Sequence, residues 1–156
     1  MTDEDFMRHA IALSRQGMAD GAGGPFGAVV VLDGRVVAEG WNQVTSTNDP
    51  TAHAEVVAIR RACAALGRFD LRGATVFTSC EPCPMCLAAL YWSRCDAVVY
   101  ANDRQQAAAI GFDDEFLYRE VAQPIEARSL RMKRLLGAEA LEVFGEWAGK
   151  ADRVAY

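Results

Sequence analysis

Residues 74–100 read ATVFTSCEPCPMCLAALYWSRCDAVVY: a β-branched run, two cysteines among prolines, an apolar helical stretch and a second β-branched run. Ala74–Ser79 and Ala97–Tyr100 have the composition of strands, and the segment from Cys83 to about Trp92 predicts the helix that joins them. Cys83 and Cys86 stand three apart, so one helical turn points both sulfurs the same way. At a helix start the unpaired N–H groups and the dipole favour thiolates. Pro82 and Pro84 suit that start, where a missing N–H costs nothing.

Upstream, His53-Ala54-Glu55 opens a second predicted helix, introduced by Pro50, running from His53 to Leu66 and ended by Gly67. His53 adds an imidazole nitrogen, which brings the protein ligands to three. A structural zinc closes its shell with four ligands, whereas a catalytic zinc takes three and keeps a position for water. Glu55 is then available as an acid/base beside that water. Cys80 leaves a rival reading open, because as a fourth thiolate it closes the shell; as the end of a strand it turns its side chain aside. Cys63 and Cys95 read as small buried hydrophobes.

Working outward, Asp3 to Ala19 forms a first helix that Thr2 or Asp3 can cap. Phe26–Leu32 and Val36–Gly40 flank Asp33-Gly34, a hairpin signal. Thr45 to Asp49 reads as a polar loop, Asn102 to Ala109 as a short helix, Ser129 to Leu135 as a strand and Ala138 to Trp147 as a last helix. Gly149 to Tyr156 shows no periodicity. The reading is a single α/β domain spanning 1–156, a three-layer α/β/α sandwich around a mixed five-stranded sheet. Both ligand stretches then lie at helix N-termini beside strand C-terminal ends, where open α/β sheets bind ligands.

A length of 156 residues allows one domain with a sizeable core. Half the residues are hydrophobic, yet no apolar run approaches the roughly 20 needed to span a bilayer, so no membrane partner is expected. The acidic start Asp3-Glu4-Asp5 is unlike a signal peptide and points to the cytoplasm. A net charge of −5 disfavours a nucleic-acid partner. The one basic cluster, Arg128 to Arg134, alternates Arg131 and Lys133 with Leu130 and Met132, as a half-exposed strand does.

The paired H-A-E and P-C-P-M-C stretches resemble the cytidine deaminase-like superfamily of zinc hydrolases. Gly23-Gly24-Pro25-Phe26-Gly27-Ala28, Asn48-Asp49-Pro50-Thr51-Ala52-His53 and Gly111-Phe112-Asp113-Asp114 resemble most the bacterial guanine deaminases within it. That resemblance implies zinc held by His53, Cys83 and Cys86, with Glu55 shuttling protons as guanine is hydrolysed to xanthine and ammonia. It also implies a substrate-binding set of Phe26, Asn42, Ala54, Trp92, Asp114 and Tyr156, and a homodimer whose exchanged C-terminal segments let the terminal tyrosine close the partner's pocket.

Each of these residues has a plainer reading as well. Phe26 starts a core strand, Asn42 is a turn residue, Asp114 is a helix cap, Trp92 packs in the core and the tail frays. Two other functions stay open. One is a sister deaminase acting on cytosine, guanosine, ammeline or tRNA adenosine. The other is a non-catalytic zinc module with Cys80 as the fourth ligand, in which Glu55 has no work.

Overall fold

The computed structural model describes residues 1–156, which fall into two compact units, Met1–Tyr118 and Arg119–Tyr156. In the first, β1 (Gly27–Leu32) and β2 (Arg35–Trp41) form an antiparallel hairpin. Asp33 and Gly34 both adopt positive φ, 50° and 72°, as the tight turn requires. β1 also pairs antiparallel with β3 (Ala74–Cys80), and β3 pairs parallel with β4 (Ala97–Asn102). The sheet order is β2-β1-β3-β4.

Residues of β1 alternate between two cores. Ala28 and Val30 pack with Ala54, Ala58 and Ala62 of α3 (Ala54–Leu66) and with Leu90 of α4 (Pro84–Ser93). Val29 and Val31 pack on the other face with Phe6 and Ala10 of α1 (Asp3–Ala19) and with Phe77. Helices therefore cover both faces, as the three-layer reading expects, and each fully buried valine is worth about 1.5–3 kcal/mol. α1 begins at a reciprocal cap between Thr2 and Asp5. Gly40 lets α3 lie against β2, since a Cβ there would stand 2.2 Å from the carbonyl oxygen of Ala54.

The topology collects the functional segments at one sheet end. Gly27 lies opposite Trp41, Ala28 opposite Thr78, and Cys80 opposite Asn102. The entry to β1 and the exits of β2, β3 and β4 consequently share an edge. Val44–Thr47 form a one-turn helix, α2, closed by Asn48 at positive φ, where the sequence predicts only a polar loop over Thr45 to Asp49. After β4 come α5 (Arg104–Ala109) and α6 (Asp114–Ala122).

In the second unit, the end of α6 is followed by a 3₁₀ turn, Ile125–Ala127, and by α7 (Gly137–Gly149). The strand expected over 129–135 is not there, and the sheet has four strands instead of five. The alternation of Leu130 and Met132 with Arg131 and Lys133 is real, but all of these side chains are exposed. Alternation makes a strand only where a neighbour takes up the backbone hydrogen bonds, and this segment pairs with none. No helix of the chain is long and apolar enough to cross a membrane.

Candidate active site

His53 and Cys83 occupy the N-cap positions of α3 and α4, and neither makes a side-chain capping hydrogen bond. Their side chains turn instead towards each other, with Cys86 one turn into α4. Cys83 Sγ and Cys86 Sγ each lie 3.5 Å from His53 Nδ1. A tetrahedral zinc with bonds of about 2.3 Å to sulfur and 2.0–2.1 Å to nitrogen needs an S···N edge of about 3.5–3.6 Å. Both S···N distances already have that spacing, so the three donors are positioned to bind a metal ion through Nδ1 and two sulfurs.

The thiols titrate as a pair. Hydrogen bonding from Cys86, helped by the His53 imidazole, draws Cys83 down to about 4, and the same hydrogen bond, with burial, pushes Cys86 up. Metal binding needs both thiols deprotonated and the imidazole neutral, so taking up zinc releases protons. Hydrogen bonding to Cys83 also raises the pKa of His53.

Cys80 stands apart from this group. Its thiol points to the Asp103 carbonyl at 3.9 Å, and burial pushes it up to about 12, so it stays protonated. The cluster of potential metal donors has three members, His53, Cys83 and Cys86.

Glu55, in the first turn of α3, is only 6 % exposed and reaches the floor of a cavity of about 250 Å³ beside the cluster. Burial raises its carboxyl's pKa. The Thr78 hydroxyl, on β3, lies 3.2 Å from Glu55 Oε1 and fixes the carboxylate from beneath. Sequence reading missed Thr78, since nothing distinguishes it from its β-branched neighbours until the register places it opposite Ala28.

Phe26, Asn42 and Asp114 line the same cavity. Phe26 meets the edge of Phe112, which the sequence reading also passed over, with ring centroids 4.8 Å apart and planes at 88°. The Asn42 carboxamide is oriented by its oxygen, which accepts from Gly24 N–H at 3.2 Å and Val44 N–H at 3.1 Å. Its NH₂ is left as the group for a ligand. A Cβ at Gly23 would stand 2.1 Å from that oxygen, so only glycine admits it. Asp113 rather than Asp114 caps α6, its Oδ1 accepting from Phe116 N–H at 3.0 Å. Asp114 is thereby free of capping and faces the cavity, and desolvation raises its pKa.

Two further candidates, Ala54 and Trp92, are not among the residues lining the cavity. Ala54 is fully buried, its methyl in the α3 core and not on the cavity wall. Trp92 is 62 % exposed near the end of α4, away from both the core and the cavity lining. Tyr156 belongs to the second unit, where its side chain is 75 % exposed.

Fold and site together define a zinc-dependent hydrolase of the deaminase class, with an α/β sheet presenting three ligands and a buried glutamate at one edge. Residues 1–102 match the family profile described as the cytidine and deoxycytidylate deaminase zinc-binding region. The chain belongs to that family. It is 49 % identical to the guanine deaminase of Bacillus subtilis over 156 residues, covering 100 % of both chains. It is 45 % identical over 86 residues to a tRNA-specific adenosine deaminase of Agrobacterium fabrum, covering 55 % of this chain and 57 % of that one. Among solved structures, the Bacillus subtilis guanine deaminase superimposes with a TM-score of 0.97 at 49 % identity, over 100 % of this chain and 99 % of that one. The guanine deaminase of Nitrosomonas europaea gives 0.68 at 30 % identity, over 89 % and 72 %.

Proposed function

We propose that this chain hydrolyses guanine to xanthine and ammonia, with zinc held by His53, Cys83 and Cys86. The observation that carries this reading is one cavity in which Glu55 lies beside the three-ligand cluster while Asp114 and the Asn42 carboxamide face the same space. When bound, zinc supplies Lewis acidity and brings the ionisation of water down to a pKa of about 7. Glu55 accepts the proton that water loses as its oxygen attacks C2 of the purine. It passes that proton to the ring nitrogen, then takes the second proton from the oxygen now on C2 and hands it to the 2-amino group, so that the C–N bond breaks to release ammonia and not an amide anion, leaving the C2 carbonyl. Asp114 accepts from N–H groups of the base, Asn42 donates to a ring acceptor, and Phe26, braced by Phe112, offers its face to the ring.

The test is ammonia release from a panel of guanine, cytosine, cytidine, adenine and guanosine. Guanine is expected to give the highest kcat/KM. Asp114→Asn should lower kcat/KM for guanine by about 10- to 100-fold, from the roughly 1.5–3 kcal/mol of a hydrogen bond to a charged group, and leave bound zinc unchanged. A better turnover of guanosine or cytosine would point to a sister deaminase.

The same proposal includes a cytoplasmic enzyme of purine breakdown and salvage, acting as one domain in a homodimer with exchanged C-terminal segments. Each unit carries exposed aromatic surface that association would cover: Tyr91, Trp92 and Tyr100 in the first, Phe144 and Trp147 in the second. Exchange of an identical segment is a low-cost route to a dimer. Removing Ala155 and Tyr156 should therefore spare zinc and fold but strongly reduce guanine turnover. Mixing a Glu55→Gln chain that keeps its tail with a tailless chain that keeps Glu55 should restore activity if tails act in trans. No recovery would mean that each tail serves its own pocket.

A further inference from the structure

Between β3 and α4 the chain runs Glu81-Pro82-Cys83, and between α5 and α6 it turns through Gly111, at a φ of 97°. The first segment carries a zinc ligand and the second delivers Asp114. One side chain bridges them. Arg104, at the start of α5, donates from its backbone N–H to Glu81 Oε2 at 2.9 Å, and from Nε and Nη2 to Glu81 Oε1 at 3.0 and 2.7 Å. Its guanidinium lies 3.7 Å above the centre of the Tyr118 ring on α6, and its Nη1 is 3.7 Å from Glu115 Oε2. The Tyr118 hydroxyl in turn donates to the Pro82 carbonyl at 2.7 Å. The ring closes: strand exit to Arg104, Arg104 to Tyr118, Tyr118 back to the strand exit.

We propose that Arg104 is a positioning residue that holds the start of α6 against the Glu81–Cys83 segment and so sets Asp114 at its place in the substrate cavity. This rests on the guanine reading and deepens it. Neither Arg104 nor Tyr118 lines the cavity, so neither touches the base. Glu81 does line it, but both carboxylate oxygens are engaged by Arg104, and Glu55 is left as the proton carrier. An exposed ion pair contributes little. Here the pair is mostly shielded, forked and stacked, an arrangement suited to fixing geometry. Zinc is held from α3 and α4, so the metal survives loss of this bridge while the wall carrying Asp114 loosens.

The experiment uses the zinc-loaded full chain and measures zinc content, kcat and KM for guanine. Arg104→Ala is expected to raise KM by about tenfold or more at nearly unchanged kcat, the pattern of lost binding and not of lost chemistry, with zinc retained. Arg104→Lys should fail to rescue, because an ammonium has neither the fork nor the planar stack. Tyr118→Phe, which keeps the ring but loses the tie to Pro82, should shift KM in the same direction by less, and tests the bridge even if Arg104→Ala folds poorly. In an Asp114→Asn background, Arg104→Ala should add almost nothing to KM, since the two act as a unit. Full additivity there, an unchanged KM, or a fall in kcat that tracks zinc loss would each overturn the proposal. A wild-type chain inert towards guanine would overturn the substrate reading and this proposal together.

Discussion

Glu55→Gln is expected to retain its zinc and lose turnover by a factor of about 10²–10⁴, the usual contribution of a positioned acid/base. The substitution keeps the side chain's shape, and the Thr78 hydroxyl can still donate to the remaining oxygen. What disappears is the capacity to take a proton and give it back. Burial matters for that capacity. A carboxylate in water ionises too readily to return protons near neutral pH, and desolvation raises the pKa of Glu55 above that of a solvated carboxylate. The measurement is ammonia release alongside metal content. A zinc-loaded Glu55→Gln chain with wild-type turnover would remove Glu55 from the chemistry.

Cys83→Ser should lose both metal and activity, as should His53→Ala, while Cys80→Ser keeps zinc. A serine hydroxyl does not ionise near neutral pH, whereas hydrogen bonding from Cys86 draws the Cys83 thiol well below its ordinary range. Removing any of the three donors leaves two, too few to hold zinc against water. Cys80, protonated and turned to the Asp103 carbonyl, contributes nothing to the shell. Metal analysis of the three variants checks this, together with X-ray absorption at the zinc edge, where two sulfur neighbours are expected. Three sulfur neighbours with zinc loss in Cys80→Ser would instead describe a closed structural site. Acid should release the metal, because protons compete for the thiolates and the imidazole as pH falls.

What the sequence made legible is what short-range chemistry encodes. Asp33-Gly34 announces its turn, Pro84 its helix start, and H-A-E with C-P-M-C a cluster of metal-binding residue types at two helix starts. The residues that were not legible act across the chain. Arg104 finds Glu81 at a separation of 23, and Tyr118 finds Pro82 at 36, contacts that no local pattern contains. Phe112 stands against Phe26 in the same way. The roles of Asp113 and Asp114 were ambiguous because adjacent acids both suit a cap, and only the helix's first hydrogen bond separates them. Residues 129–135 mislead in the opposite way: their alternation is a local signal for a structure that needs a remote partner.

The uncapped starts of α3 and α4 have a consequence beyond catalysis. Natural helices commonly place Ser, Thr, Asp or Asn there, and lacking such a cap costs about 1 kcal/mol. This chain has given both positions to donors positioned to bind a metal ion, so a zinc held there would also fasten two helix ends together. Demetallation should then be felt as fraying that begins at residues 53 and 83 and spreads inward, with amide hydrogens there exchanging first. An enzyme built this way couples its inventory of folded protein to the supply of its metal.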